Sequence, residues 1–379
     1  MKKLALYFGV LICVFCYSCT STTQLSRNKK IPQLQLLDVY EIPFKTYYQN
    51  TWVGGLSGID YDAQSNQYYI ICDDRSQHQA ARFYTADIQI KQNKIDTIIF
   101  KDVQVLKSPF KDTFPSVFKN PLKAADPESI RWNASKQNFI WTSEGDRMVR
   151  NGVMIQQNPF IYEMSKTGYF LDSFEIVDRL KVDKDGIGPR NNGVFEGSAL
   201  DKNDDNLFVS VEEPMYQDGE KADAHKGWVI RINQFNTANK KLKAQYAYVI
   251  DPVAYEAQPK DAFKVNGVAE IMWWKTQQLL VLERSYSTGR IPCTIKLYLT
   301  DLSKASNIKD VLSVTLDSKL SFASKKLILN MDNLNRHIDN VEGICLGPKL
   351  PNGNPTLILI SDNNFNPQQK TQIFLFEIL

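Results

Sequence analysis

The sequence predicts an all-β fold, a β-propeller of five four-stranded blades closed by an N-terminal strand. Three observations predict it. Five segments of the 379-residue chain repeat one layout at near-constant spacing. The last repeat is one strand short, while an unassigned strand stands at the opposite end of the chain. No long stretch carries a 3.6-residue apolar period, so helices are not expected.

The chain opens on Lys2 and Lys3, an apolar run from Leu4 to Tyr17, then Ser18 and Cys19. A basic start, a short apolar run and a small residue form a secretory signal, residues 1–18. The run is too short for a membrane span. Cys19 stands where a bacterial lipoprotein carries its lipid-acceptor cysteine; simple secretion with cleavage nearby is the alternative. Residues 19–32 then read as a flexible tether, leaving 33–379 as a single propeller domain. The expected location is the cell envelope, periplasmic or cell-surface, with the lipid as the only membrane contact.

The repeats open at Leu56-Ser57-Gly58-Ile59, Pro127-Glu128-Ser129-Ile130, Phe195-Glu196-Gly197-Ser198, Ala269-Glu270-Ile271-Met272 and Val341-Glu342-Gly343-Ile344. Aligning Ser57, Glu128, Glu196, Glu270 and Glu342 gives separations of 71, 68, 74 and 72 residues. The match of Asn192-Gly193-Val194 to Asn266-Gly267-Val268 sets the fourth register. Each opening leads to a second hydrophobic run ending in an acid: Asp73, Glu144, Glu212, Glu283 and Asp362.

Third and fourth strands follow, at 82–90 and 95–106, 160–164 and 169–177, 228–233 and 245–250, and 294–299 and 326–329. The fifth repeat has only a third strand, 372–378, and the segment 34–42 supplies its fourth. Borrowing that strand closes a ring and removes exposed edges. A pair of unrelated β-sandwiches leaves the spacing unexplained. A six-bladed ring is the alternative count.

Composition narrows the chemistry. Hydrophobic residues make up 43% of the chain, enough for a large core, and the net charge is only +3. The basic residues are dispersed, which argues against nucleic acid. Beyond the leader, Cys72, Cys293 and Cys345 permit one disulfide but no framework. His78, His225 and His337 form no zinc spacing. There is no G-x-S-x-G elbow and no phosphate-binding loop.

First strands line the channel of a propeller, so the repeated acids should converge. Glu128, Glu196, Glu270, Glu342 and Asp362 are the candidate metal ligands, because calcium takes six to eight oxygen donors. Asp73, Glu144 and Glu283, with Arg75, Arg147 and Arg284 just after them, are the candidate catalytic groups. Guanidinium grips carboxylate or phosphate oxygens in two-pronged geometry. The alternative role for any single acid is to cap turns and hold blades in register.

The ordered set of Gly55-Leu56-Ser57-Gly58-Ile59 with Cys72-Asp73-Asp74-Arg75, Ala125-Asp126-Pro127-Glu128-Ser129-Ile130 with Ser143-Glu144-Gly145-Asp146, Asn192 to Gly197, Leu282-Glu283-Arg284 and Asn340 to Ile344 with Ser361 to Phe365 resembles the phytase-like family labelled "esterase-like activity of phytase". The resemblance runs from about residue 50 onward. It implies a propeller hydrolase of ester bonds, phosphoric or carboxylic, with calcium as suspected cofactor and a small-molecule substrate. Propeller phytases have six blades and use several calcium ions in an acidic funnel. A monomer is expected. The second reading is a non-catalytic ligand-binding propeller, with Trp52, Trp141, Trp228, Trp273 and Trp274 as stacking candidates.

Overall fold

The computed structural model describes residues 31–150, 152–182, 186–290 and 292–379. The leader, Cys19 and most of the tether lie outside the described residues. Among the described residues no helix is long and apolar enough to cross a membrane.

Five four-stranded antiparallel sheets account for the repeats. The first blade runs through Leu56–Asp62, Gln67–Cys72, Arg82–Lys91 and Lys94–Val105. The second uses Pro127–Asn133, Asn138–Ser143, Phe160–Met164 and Phe170–Ser173. The third comprises Phe195–Leu200, Asn206–Val211, Val229–Asn236 and Leu242–Val249. The fourth comprises Lys264–Lys275, Gln278–Ser287, Thr294–Asp301 and Ser324–Asn330. The fifth takes Asn340–Gly347, Thr356–Asp362 and Thr371–Ile378. Its outer strand is Leu34–Ile42, antiparallel to Thr371–Ile378 with Val39 opposite Phe374. The count is five, so the six-bladed alternative is excluded.

Alternating side chains explain why the sheets stack as blades. A middle strand such as Thr356–Asp362 is buried throughout because a neighbouring blade covers each face. One apolar cluster fills each junction between blades. Tyr69, Phe83, Trp132 and Phe139 join the first and second, and Ile140, Phe195 and Leu207 join the second and third. Ile232, Tyr248, Ile271 and Val281 join the third and fourth. Leu280, Leu297, Leu357 and Phe374 join the fourth and fifth. Ile59, Ile70, Ile358 and Ile373 join the fifth back to the first, which closes the ring.

Outside the blades lie a small hairpin, Tyr47–Tyr48 with Thr51–Trp52, and the following pieces. The hairpin Asp146–Arg150 with Val153–Gln157 interrupts the second blade after its second strand. Short 3-10 turns at Asp178–Leu180 and Met331–Leu334 are the described helical elements. Cys72, Cys293 and Cys345 are buried free thiols, so none of them forms a disulfide with another. Trp141 is almost completely buried in the core and is unavailable for stacking on a ligand.

Candidate functional site

The site is made by a bulge repeated around the ring. In the first blade Leu56 pairs with Cys72 and Gly58 with Ile71, so Ser57 is the extra residue. In the fifth, Val341 pairs with Ser361 and Gly343 with Ile360, so Glu342 bulges. The pairings skip Glu128 and Glu196 in the same way. A bulged residue is freed from the ladder and its side chain is re-aimed, here toward the axis.

The fourth blade breaks the pattern. Val268 pairs with Glu283 and Glu270 with Leu282, which makes Ala269 the bulge. The structural equivalents are therefore Ser57, Glu128, Glu196, Ala269 and Glu342, separated by 71, 68, 73 and 73 residues. The same one-residue offset applies at the end of the second strand. Asp73, Glu144, Glu212 and Asp362 each come one residue after the partner of the residue that precedes the bulge, and Arg284 holds that station in the fourth blade. A cation thus enters the ring of acids, and Glu270 and Glu283 turn elsewhere.

Six of these stations, Asp73, Glu128, Glu144, Glu196, Arg284 and Glu342, line an open basin of about 760 Å³, at the end of the ring where first strands begin and second strands finish. Eight acids line it (Asp73, Asp74, Asp126, Glu128, Glu144, Glu196, Asp339 and Glu342) against three arginines, Arg75, Arg284 and Arg290. Two groups of carboxylates share Glu144: Asp126, Glu128 and Glu144, and Glu144, Glu196 and Glu212. Within each group the candidate donor oxygens lie within 4.8 Å of one another.

Glu144 also accepts a hydrogen bond from the Val194 amide at 2.8 Å, which fixes it at the centre of the pair of groups. Asp126 lies 3.3 Å from Arg75 Nε, and Glu212 lies 2.8 Å from Arg284 Nη2. The carboxylates of Glu128 and Glu196 have no hydrogen bond or ion pair among the described residues.

Crowding and burial act in one direction on these acids. Desolvation, then the charges of Glu196 and Asp126, pushes Glu128 well above the usual carboxylate range. Desolvation with Asp126 and Glu212 does the same to Glu144, and desolvation with Glu144 and Glu212 to Glu196. Burial pushes Glu212 up to about 7 and Glu342 up to about 8, despite the opposing pull of Arg284. Asp126 and Asp362 are pushed up to about 6 by burial. Asp73 is raised by burial, then by Asp362 and Glu342. Removing charge from water without a partner is costly, so these acids favour their protonated forms unless a cation neutralises them.

The cations are positioned by their own acids. Arg75 Nη2 lies 2.6 Å from Asp146, on the added hairpin of the second blade. Arg284 reaches Glu342 with Nε at 3.6 Å. Arg290 stacks 3.3 Å over the Tyr255 ring and lies 3.4 Å from Asp332.

Several sequence candidates stand away from the basin. Glu270 forms a buried pair with Arg131 Nη2 at 2.6 Å and accepts from the Ser198 amide at 2.7 Å. Arg131 itself donates to the carbonyls of Ile59 at 2.7 Å, Ser198 at 2.6 Å and Ile271 at 3.1 Å. One guanidinium so ties the first, third and fourth blades to the second across the channel. Glu283 sits between the third and fourth blades, bonded to Tyr248 at 2.6 Å and Lys325 at 2.7 Å. Arg147 stacks on Tyr216 with its guanidinium carbon 4.7 Å from the ring centre. Asp362 is fully buried behind the basin wall, accepting from the Asn364 amide at 2.9 Å, while its Oδ2 has no hydrogen bond.

Sequence reasoning missed Arg131 and Arg290, which match nothing in the other repeats. It named Asp126 and Glu212 without assigning them to a metal. Their place beside acids of neighbouring repeats was the available signal.

The sequence profile described as "esterase-like activity of phytase" matches residues 51–365. No curated protein matches the chain. Among solved structures, an endo-arabinase from Bacteroides thetaiotaomicron VPI-5482 is 13% identical with a TM-score of 0.43, covering 88% of this chain and 96% of its own. An N-acetylgalactosamine deacetylase from F. plautii is 7% identical with a TM-score of 0.44, covering 92% of this chain and 95% of its own. The profile match spans most of the chain, carries both carboxylate groups and includes the arginines beside them: the chain belongs to the phytase-like family.

Proposed function

We propose that the protein is an exported, lipid-anchored hydrolase of small ester or phosphoester substrates that works with a hard divalent cation, calcium foremost. The observation that carries the reading is the pair of carboxylate groups sharing Glu144, with the carboxylates of Glu128 and Glu196 making no hydrogen bond or ion pair among the described residues. The donor set fits such an ion. It offers only carboxylate oxygens, close together and repelling one another, where zinc would favour nitrogen or sulfur. Asp126, Glu128, Glu144, Glu196 and Glu212 would hold it.

Bound there, the cation would polarise an ester oxygen and acidify a water. The chain's own groups supply the rest. Arg75, Arg284 and Arg290 can grip anionic oxygens as charge develops, and Asp146 keeps Arg75 extended toward the basin. Hydrolysis adds water across the ester: water oxygen bonds to phosphorus or acyl carbon, and the departing alkoxide must gain a proton. Glu342 lines the basin, belongs to neither carboxylate group, and is the acid assigned to deliver that proton. Asn340 Nδ2 steadies it at 2.8 Å.

The test is a panel of phosphate and carboxylic esters assayed with calcium and then with EDTA. EDTA-sensitive cleavage is expected, with Glu144→Gln lowering kcat by at least about 100-fold. Failure to cleave any ester, or cleavage indifferent to EDTA, defeats the reading. A non-catalytic ligand-binding propeller is the second reading. The carboxamides of Gln77, Asn364 and Gln368 in the basin lining favour it, and tight binding without turnover would support it.

A further inference from the structure

One wall of the basin is aromatic. Phe365 and His78 line it, their rings 4.5 Å apart, and Trp52 backs both, 5.1 Å from Phe365 and 5.3 Å from His78. The loop that presents Phe365 is held in an unusual shape. Asn364 and Phe365 have φ of 47° and 52°, consecutive left-handed residues without a glycine. For a bulky side chain this conformation is an outlier, and such outliers gather at ligand clamps.

Contacts on both sides hold the loop. The Asn363 side chain accepts from the Phe365 amide at 3.0 Å and from the Gly55 amide at 3.3 Å. Gly55 must be glycine here: its φ is +61°, and a Cβ would meet Asp73 at 2.2 Å and the Phe365 ring at 2.6 Å. The shelf is therefore built before any ligand arrives, which limits the ordering cost of binding.

Around the aromatic wall stand the carboxamides of Gln77, Asn364 and Gln368, which line the basin. None of the three makes a side-chain hydrogen bond among the described residues. A carboxamide both donates and accepts, which suits hydroxyl groups, themselves donors and acceptors. A flat apolar surface beside such groups matches a ring with one C–H face and an edge of hydroxyls. The excess of basin acids over arginines disfavours a polyanion.

We propose that Phe365 and His78, with Gln77, Asn364 and Gln368, form a carbohydrate-binding shelf that seats the sugar of a neutral or singly charged sugar ester, its ester bond over the carboxylate groups. The substrate class rests on the hydrolase reading above, while the shelf itself does not need turnover.

The experiment separates the two. Full-length protein in EDTA is titrated with a panel of methyl glycosides by calorimetry, and separately with phenyl acetate and inositol hexakisphosphate. Saturable binding of at least one glycoside is expected. It is lost or weakened about tenfold in Phe365→Ala. Because Phe365→Ala could unfold the loop, Asn364→Gly supplies a second check. It keeps the left-handed backbone, removes one carboxamide, and should weaken glycoside binding several-fold at unchanged thermal stability. No saturable glycoside binding, or binding only of phenyl acetate or the polyanion, overturns the shelf. Absence of hydrolysis with glycoside binding intact overturns only the enzymatic reading.

Discussion

The basin and the junction between the third and fourth blades both gather acids, but the junction acids Asp251 and Glu283 are each met by lysine, while Glu128 and Glu196 in the basin have no ion pair among the described residues. Asp251 meets Lys296 at 2.7 Å and Lys325 at 2.7 Å, and Lys325 also meets Glu283 at 2.7 Å. Burial alone would raise Asp251, but these lysines and the Tyr298 hydroxyl hold it at about 2. In the basin Glu128, Glu144 and Glu196 have fewer partners, and burial with the neighbouring acids raises their pKa values instead. A one-residue register offset in one strand divides the two outcomes. Glu283 pairs where Cys72 and Ser361 pair in other blades, so its side chain points into the junction between blades. The ring therefore contains acids that stabilise it and acids that strain it.

The largest effect that could break this contrast is on stability. Glu283→Ala should cost about 2–3 kcal/mol, because the buried Tyr248 hydroxyl, the Asp251 amide and the Asn266 carboxamide lose their acceptor, while Lys325 keeps Asp251. Glu128→Gln in EDTA should be neutral or stabilising, since it removes one repelling charge. Urea unfolding of both variants gives the answer, and destabilisation of similar size in both would erase the distinction.

The pH dependence sharpens it further. A carboxyl held above its unfolded pKa binds a proton in the folded state that the unfolded chain has released. Between the ordinary range and about 7 for Glu212 and about 8 for Glu342, stability should fall as pH rises. Asp251 acts with the opposite sign and elsewhere: its contribution is present above its unfolded value and is lost as pH falls toward about 2. Urea midpoints of EDTA-treated protein should therefore decline from pH 5 to pH 8, and added calcium should flatten the decline. A midpoint that climbs over this interval would contradict the wiring.

Smaller effects follow. Arg284→Gln deletes the cation at the fourth station and should tighten calcium binding several-fold by calorimetry, while raising KM for a phosphate ester about tenfold. Weaker calcium binding would mean that Arg284 organises the acids more than it opposes the ion. Lys296→Met should cost only about 1 kcal/mol, since it is partly exposed and Lys325 still covers Asp251.

The propeller was legible because each blade must bury two faces, which forces hydrophobic strands to recur at fixed spacing. The closing strand at Leu34–Ile42 could be read from the fifth blade's deficit. The acids at Glu128, Glu196 and Glu342 were legible as a repeat. The fourth blade was not. Asn192-Gly193-Val194 and Asn266-Gly267-Val268 match in letters, but a bulge moves the paired position by one without changing residue types. Ala269, the true equivalent, offers no chemistry to notice. Arg131 was invisible for a related reason, because its work is done on backbone carbonyls of other blades.

The way the fifth blade is completed has a consequence during synthesis. Leu34–Ile42 leaves the ribosome first and its mate, Thr371–Ile378, more than three hundred residues later. Until that partner exists, the early strand has no place in any sheet and the fifth-to-first junction cannot seal. A chain that stops before residue 371 lacks the partner of Leu34–Ile42, so an unpaired strand edge would be left for proteases or other chains to find.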